Sequence, residues 1–311
     1  MRTLVIGAGA LGGYFGGCLA RAGRDITFMV RPNRAEQLSR RGLQVVSPHG
    51  DFALPVSTVT SDAIRAPFDL ILVGVKAYSL DEAMDQFAPA VGPSTMILPI
   101  LNGIAHVDRL IARFGSSSVL GGIANISAAI DAEGRIIHLV PLNDLVFGEL
   151  SGGINARIRS VLSSFEGAGF NTRASEAVMQ DMWEKFAQLG VGASITCLMR
   201  SSIGDIVAAP GGREAALKLF DECCAVATAS GFRPRPVFID FASKLVTTAG
   251  SALKWSMLRD IERGSVTEGP HILGDLVSRA RAAGVETPIL DLAWTHVAAY
   301  EVARSHARAA H

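Results

Sequence analysis

Only four cysteines occur in 311 residues, Cys18, Cys197, Cys223 and Cys224. None stands at zinc-ligand spacing and two are adjacent, so neither a zinc site nor a disulfide framework is implied; all four are expected to be reduced core residues. Net charge is absent as well, since Lys+Arg and Asp+Glu both number 29. Without a basic stripe or a run of like charge, nucleic acid and membrane surfaces drop out as partners and a small molecule is left. The longest uncharged run, 86–107, is of membrane-spanning length. Pro89, Pro93, Pro99, Asn102 and Gly103 break it into a loop and a strand. The apolar N-terminus lacks the unbroken core of a signal peptide, because Gly7, Gly9, Gly12 and Gly13 interrupt it, so a cytoplasmic protein is expected. Histidines 49, 106, 138, 271, 296, 306 and 311 form no HExxH or other close ligand pattern, and no GxSxG elbow occurs. Metal catalysis and a serine nucleophile are therefore not expected. Fixed-period repeats and low-complexity segments are missing too.

What is present is apolar residue, 49% of the chain, enough in 311 residues for two packed cores. Through 174, short β-branched runs at 3–7, 25–30, 68–75 and 95–101 alternate with helical patterns. Runs apolar on both faces suit the strands of a parallel sheet covered by helices. The fold class predicted for 1–174 is an α/β Rossmann domain, doubly wound and mainly parallel. From 118 to 149, three apolar runs divided by Asp131–Gly134 and Pro141–Asp144 predict a hairpin or meander that extends or flanks the sheet. Residues 175–311 predict an all-α C-terminal domain, with breaks at 210–212, 231–236, 250, 264 and 284–288. In it, Ala216, Leu219, Phe220, Cys223, Val226 and Ala227 follow the spacing of one buried helix face.

The first strand runs into GxGxxG: Gly7-Ala8-Gly9-Ala10-Leu11-Gly12, followed by a helix. Gly7 permits the tight turn, Gly9 lets the backbone approach a pyrophosphate, and Gly12 lets the helix pack closely on the strand. The helix start then offers unpaired N–H groups to the phosphates. Arg31 stands at the end of the second strand, where an NAD site usually carries an acidic residue; a guanidinium there suits the 2′-phosphate of NADP(H), the cofactor expected. Arg34 is either a second contact or the surface face of the next helix.

Three later stretches complete a pattern: Val75-Lys76-Ala77 after one strand, Leu101-Asn102-Gly103 after the next, and Trp183-Glu184-Lys185-Phe186, which reads as the opening of the first helix of the second domain. With GAGALG, the SMLRDIERG stretch at 256–264 and Thr267-Glu268, in that order, the chain closely resembles the ketopantoate reductase family over nearly its whole length. The resemblance implies reduction of a 2-keto acid by NADPH, in pantothenate biosynthesis, with a homodimer as a possible assembly. It implies Lys185 as the general acid and Glu268 as the acidic group that assists it. Lys76 and Asn102 match the cofactor and substrate junction, and Ser256 a substrate-contacting serine. Elementary chemistry agrees in part, because ketone reduction builds negative charge on oxygen and a lysine brings both a charge and a proton.

Some positions depart from the family pattern. Leu189 and Ala193, on the Lys185 face, and Leu253 stand where the family has asparagines; Trp255 replaces a serine, and Pro270 and Leu273 replace an acidic residue and an asparagine. Gln188 could supply one of the missing amides. A site stripped of such donors should favour a more apolar 2-keto acid than ketopantoate. Two other functions fit: an NADPH-binding sensor without turnover, and an imine or β-hydroxy acid oxidoreductase on a related scaffold. Among the histidines, His271 draws notice for its nearness to Glu268.

Overall fold

The computed structural model describes residues 1–309, so His311 lies outside the described residues. The chain forms two compact units. One holds Met1–Asn102 and His106–Met179; the other holds Gly103–Ala105 and the described chain from Gln180 onward.

The first unit runs β1 (Thr3–Ile6), α1 (Ala10–Arg21), β2 (Ile26–Met29), α2 (Pro32–Arg41), β3 (Leu43–Val46), β4 (Phe52–Leu54) and β5 (Ser57–Val59). It continues with β6 (Leu70–Val73), α3 (Leu80–Phe87), β7 (Met96–Pro99), α4 (Ala105–Phe114), β8 (Leu120–Ile130), β9 (Ile136–Glu149), α5 (Ala156–Phe165) and β10 (Asn171–Ala174). One sheet has the order β5-β2-β1-β6-β7, every pairing parallel. All residues of β1, β6 and β7 are buried, as strands covered on both faces must be. This is a Rossmann-like sheet, and the expected α/β class holds.

A second sheet, β10-β9-β3-β4 with β8 paired to β9, packs on the other side of α1. Two glycines of α1 make that possible. A Cβ at Gly16 would fall 2.8 Å from the Phe28 ring of the first sheet, and one at Gly13 would fall 2.3 Å from Ile136 of the second. The helix thus lies close to both layers because it carries no side chain at the contacts. Phe15, Phe147, Phe165 and Phe170 fill the core around it in edge-to-face contacts.

Of the hairpin and the meander expected over 118–149, the hairpin forms. It consists of two long antiparallel strands joined at the Asp131–Gly134 turn, and Pro141 makes no second turn. Ile126 pairs with Asn143 and Ala128 with His138, so Ser127 of β8 faces four residues of β9, 139–142. Proline has no N–H to give a ladder, and a bulge absorbs it without ending the strand. His49 and His138 hold the bulge from below, their Nε2 atoms bonding the Pro141 and Leu142 carbonyls at 2.6 and 3.1 Å.

The second unit is helical: α6 (Val178–Met199, shared with the end of the first unit), α7 (Ile203–Ala208), α8 (Gly212–Ala229), α9 (Pro236–Leu245), α10 (Ser256–Glu262), α11 (Asp275–Ala282) and α12 (Pro288–Ala309). A π-helical turn at Pro270–Gly274 leads into α11. The six α8 positions named from spacing are all buried. Cys18, Cys197 and Cys223 are buried and free, while Cys224 is only half-buried. No helix among the described residues is long and apolar enough to cross a membrane.

Candidate active site

In the first unit the GxGxxG loop has the geometry that its residue types require. Gly7 adopts φ +84°, a left-handed backbone that a side chain would strain. A Cβ on Gly12 would stand 2.3 Å from the Gly7 carbonyl oxygen, which forces glycine where α1 meets the end of β1. At Gly9 the opposite holds, since nothing lies within 4 Å of a Cβ there. The loop is closely packed behind and open in front. Gly9 caps α1 without a side-chain hydrogen bond, so the N–H groups of the first turn, on Ala10 and Leu11, stay available for an anion. These features fit a dinucleotide pyrophosphate.

The loop has two further supports, one at a position the sequence left unremarked and one at Arg34 in a role the sequence did not suggest. Gly74, just past β6, lies so near that its Cβ would fall 2.7 Å from the Gly12 nitrogen. Arg34, on α2, is not a free surface cation. Half-buried, it donates to the Ala8 carbonyl at 3.1 Å and to the Gly134 carbonyl at 2.9 Å, and burial draws its pKa below the usual guanidinium range. It ties the glycine loop to the β8–β9 turn. For Gly74, only its place at a strand end could have pointed to it; for Arg34, no signal pointed to a bond with a carbonyl 26 residues back.

Arg31 is exposed, and its Nη2 lies 2.8 Å from Glu82 on α3. The pair is open to solvent and worth little in stability, so a phosphate can displace the carboxylate at small cost. Lys76 is exposed just beyond β6, and Asn102 is half-buried just beyond β7. Both follow the carboxyl ends of parallel strands, as Gly7 does.

The second unit carries Lys185. The helix that bears it starts at Val178, so the Trp183–Phe186 stretch lies in its second turn and does not open it; a turn in which the Ser175 hydroxyl accepts the Ala177 N–H leads into α6 earlier. Lys185 is half-buried and within electrostatic reach of Glu268, which is 8% exposed. Burial lowers the lysine pKa to about 8, while the carboxylate pulls it back upward. Glu268 is no surface charge at a helix start. The Thr267 N–H beside it donates to Glu301 on α12 at 2.7 Å, and its own carbonyl accepts from His271 and Ile272 as the π turn begins. His271 is buried in that turn, its ring edge about 3.0 Å from where a Gly103 Cβ would stand.

Glu184, the neighbour of Lys185, also escaped notice. It accepts from the Arg235 backbone N–H and Nε, both at 2.8 Å, and pairs again with Nη2, which also reaches Asp181. The hydrogen bonds to Glu184, foremost, and to Asp181 raise the Arg235 pKa. This fork fixes the rotation of α6 against the start of α9, and with it the direction of Lys185.

Of the substrate candidates, Gln188 and Leu189 share the accessible face of α6 with Lys185; Ala193 is 2% exposed. Leu253 is half-buried and Ser256 is exposed at the start of α10. Among the described residues no group of three histidines, cysteines or carboxylates could hold a metal ion.

Comparison with known proteins matches residues 3–152 to the family described as Ketopantoate reductase PanE/ApbA and residues 177–301 to Ketopantoate reductase PanE/ApbA C terminal. An uncharacterized oxidoreductase of Bacillus subtilis, YkpB, is 35% identical over 97% of this chain and 99% of its own length. The solved structure of 2-dehydropantoate 2-reductase from Geobacter metallireducens GS-15 is 27% identical, with TM-score 0.86 over 96% of this chain and 99% of that one. D-mandelate dehydrogenase with NADH and anilino(oxo)acetate shares the fold, at TM-score 0.87, 20% identity and coverage of 98% and 100%.

Proposed function

The chain belongs to the ketopantoate reductase family, and from that premise we propose that it uses NADPH to reduce a 2-keto acid with an apolar side chain to the 2-hydroxy acid. Lys185 carries the reading. Titrating at about 8 beside a buried carboxylate, its ammonium is charged at neutral pH yet parts readily with a proton. That is what an oxygen gaining charge at C2 of a keto acid needs, because a donor matched to the operating pH is the most effective one. Glu268 favours the charged lysine and so keeps the donor loaded.

The residues of the glycine loop fit the cofactor. Gly7, Ala8, Gly9, Ala10, Leu11 and Gly12 would hold its pyrophosphate, Arg31 its 2′-phosphate, and Lys76 and Asn102 its nicotinamide end. The bound cofactor supplies a hydride to the keto carbon.

The side-chain preference rests on what shares the accessible face of α6 with Lys185: Gln188 is the one amide there, and Leu189 supplies apolar surface. Ala193, buried in the helix packing, offers no donor, and Leu253 carries none. A buried substrate hydroxyl left unpaired costs about 1–3 kcal/mol. Ketopantoate should therefore trail an apolar 2-keto acid by roughly one to two decades in kcat/KM. The test is NADPH oxidation across a panel of 2-keto acids that includes ketopantoate, branched aliphatic and aromatic members. Ketopantoate winning by a wide margin overturns the preference. NADPH binding with no reduction of any keto acid overturns the enzyme reading in favour of a sensor.

A further inference from the structure

Between Asp181 and Cys197, α6 keeps just three accessible residues, Lys185, Gln188 and Leu189. Their spacing, i, i+3 and i+4, makes one narrow window on one helix face. Position 192 is next on that face, at i+7, and there the window closes. It is a glycine with the indole of Trp255 lying on it: a Cβ at Gly192 would fall 2.0 Å from Cε2, 2.2 Å from Cζ2 and 2.3 Å from Cδ2. The ring occupies the place of a side chain on α6 itself.

Trp255 is held there from both sides. Before it, the Ile203 and Gly204 N–H groups at the start of α7 donate to the Leu253 and Ser251 carbonyls at 3.0 and 2.8 Å. A Cβ at Gly204 would come within 2.6 Å of the Ser251 nitrogen, so these strands of chain touch backbone to backbone. Flanking it, Lys254 pairs with Glu262 at 2.8 Å across the length of α10. Trp255 is 9% exposed. Backbone anchored in this way does not carry the indole aside for a larger ligand without breaking several hydrogen bonds.

Resting on the reading of Lys185 as proton donor, we propose that Trp255, seated on Gly192, is the specificity-determining residue that ends the substrate side-chain site and limits the enzyme to 2-keto acids with short branched aliphatic side chains. Seven residues of helix separate the donor from the indole by about 10 Å along the axis. The carboxylate and ketone take the part nearest Lys185. What remains, from Leu189 to position 192, is less than one helical turn, about 5 Å along the axis, which suits three or four carbons and leaves an aryl group facing the edge of the indole.

The test uses the full chain with NADPH saturating and two probes, 3-methyl-2-oxobutanoate and phenylpyruvate. The wild type should prefer the aliphatic acid at least about tenfold in kcat/KM. Trp255→Ala should reverse the preference, lowering KM for phenylpyruvate while kcat stays close to that for the aliphatic acid. Trp255→Phe, which keeps an aromatic ring on Gly192, should shift the ratio part of the way and guards against loss of folding in the alanine variant. An unaltered ratio in both folded variants, or loss of phenylpyruvate activity on removing the indole, overturns this proposal alone. A wild type that reduces neither these nor any other 2-keto acid overturns it together with the reading of Lys185.

Discussion

At Gly7–Gly12 the first unit presents backbone, and on α6 the second unit presents side chains. The loop has no freedom: Gly12 meets the Gly7 carbonyl, Gly74 meets Gly12, and Arg34 grips the Ala8 carbonyl. On α6, by contrast, the accessible face has kept its lysine while carrying Leu189 one turn further on and Gly192 under an indole after that. A site made of backbone can be altered only by moving the chain, so it keeps one ligand. A site made of side chains on a rigid helix can change ligand by substitution and keep its fold. On the proposed function, a scaffold that keeps its dinucleotide while its substrate varies follows from that difference in material.

The contrast is broken most forcefully inside the loop. Gly12→Ala puts a methyl 2.3 Å from a carbonyl oxygen. Overpacking of this kind costs about 1–3 kcal/mol, and NADPH affinity should fall roughly tenfold to a hundredfold, together with Tm. Gly9→Ala, with open space around its Cβ, should leave Tm unchanged and still weaken NADPH. Fluorescence titration and thermal melts on the two variants separate packing behind the loop from access in front of it; equal Tm losses would show that the open side is not open.

On the α6 face, the pH profile isolates the side chain. If Lys185 is the donor, as proposed, its ammonium is present below its pKa of about 8 and is lost as pH rises through it, so kcat should fall about tenfold per pH unit on the alkaline side. Glu268→Gln removes the charge that holds the lysine pKa up, and the alkaline limb should move to lower pH. A limb unmoved by Glu268→Gln would uncouple the two residues.

The smallest effect belongs to Arg31, which sits on the surface in an exposed pair with Glu82. Arg31→Ala should weaken NADPH about tenfold at low salt and leave NADH unchanged, an effect that shrinks as ionic strength rises. Equal wild-type affinity for the two cofactors would remove the basis for assigning the 2′-phosphate to it.

How far the sequence alone reached depended on distance along the chain. The glycine loop is six consecutive residues, and the α8 face is a periodicity within one helix, so both were legible. β3 and β4 are four and three residues long, and β3 takes its parallel partner from β9, some ninety positions on, so no local pattern marks them. The Arg34 bond to Ala8 and the Trp255 contact with Gly192 join positions that only the fold brings together. At the site, residue types could be named from motif order. That Glu184 aims the helix next to Lys185 could not, because the reason lies in Arg235, 51 residues later.

The bulge at 139–142 has a consequence of another kind. Before it β9 pairs with β3, and after it with β10, while β8 follows both halves. The bulge works as a splice between two sheet segments whose registers are set independently, each by its own neighbour. Residues gained or lost there alter neither register, so the chain can change length at that point during divergence while the two segments stay in step with their own partners.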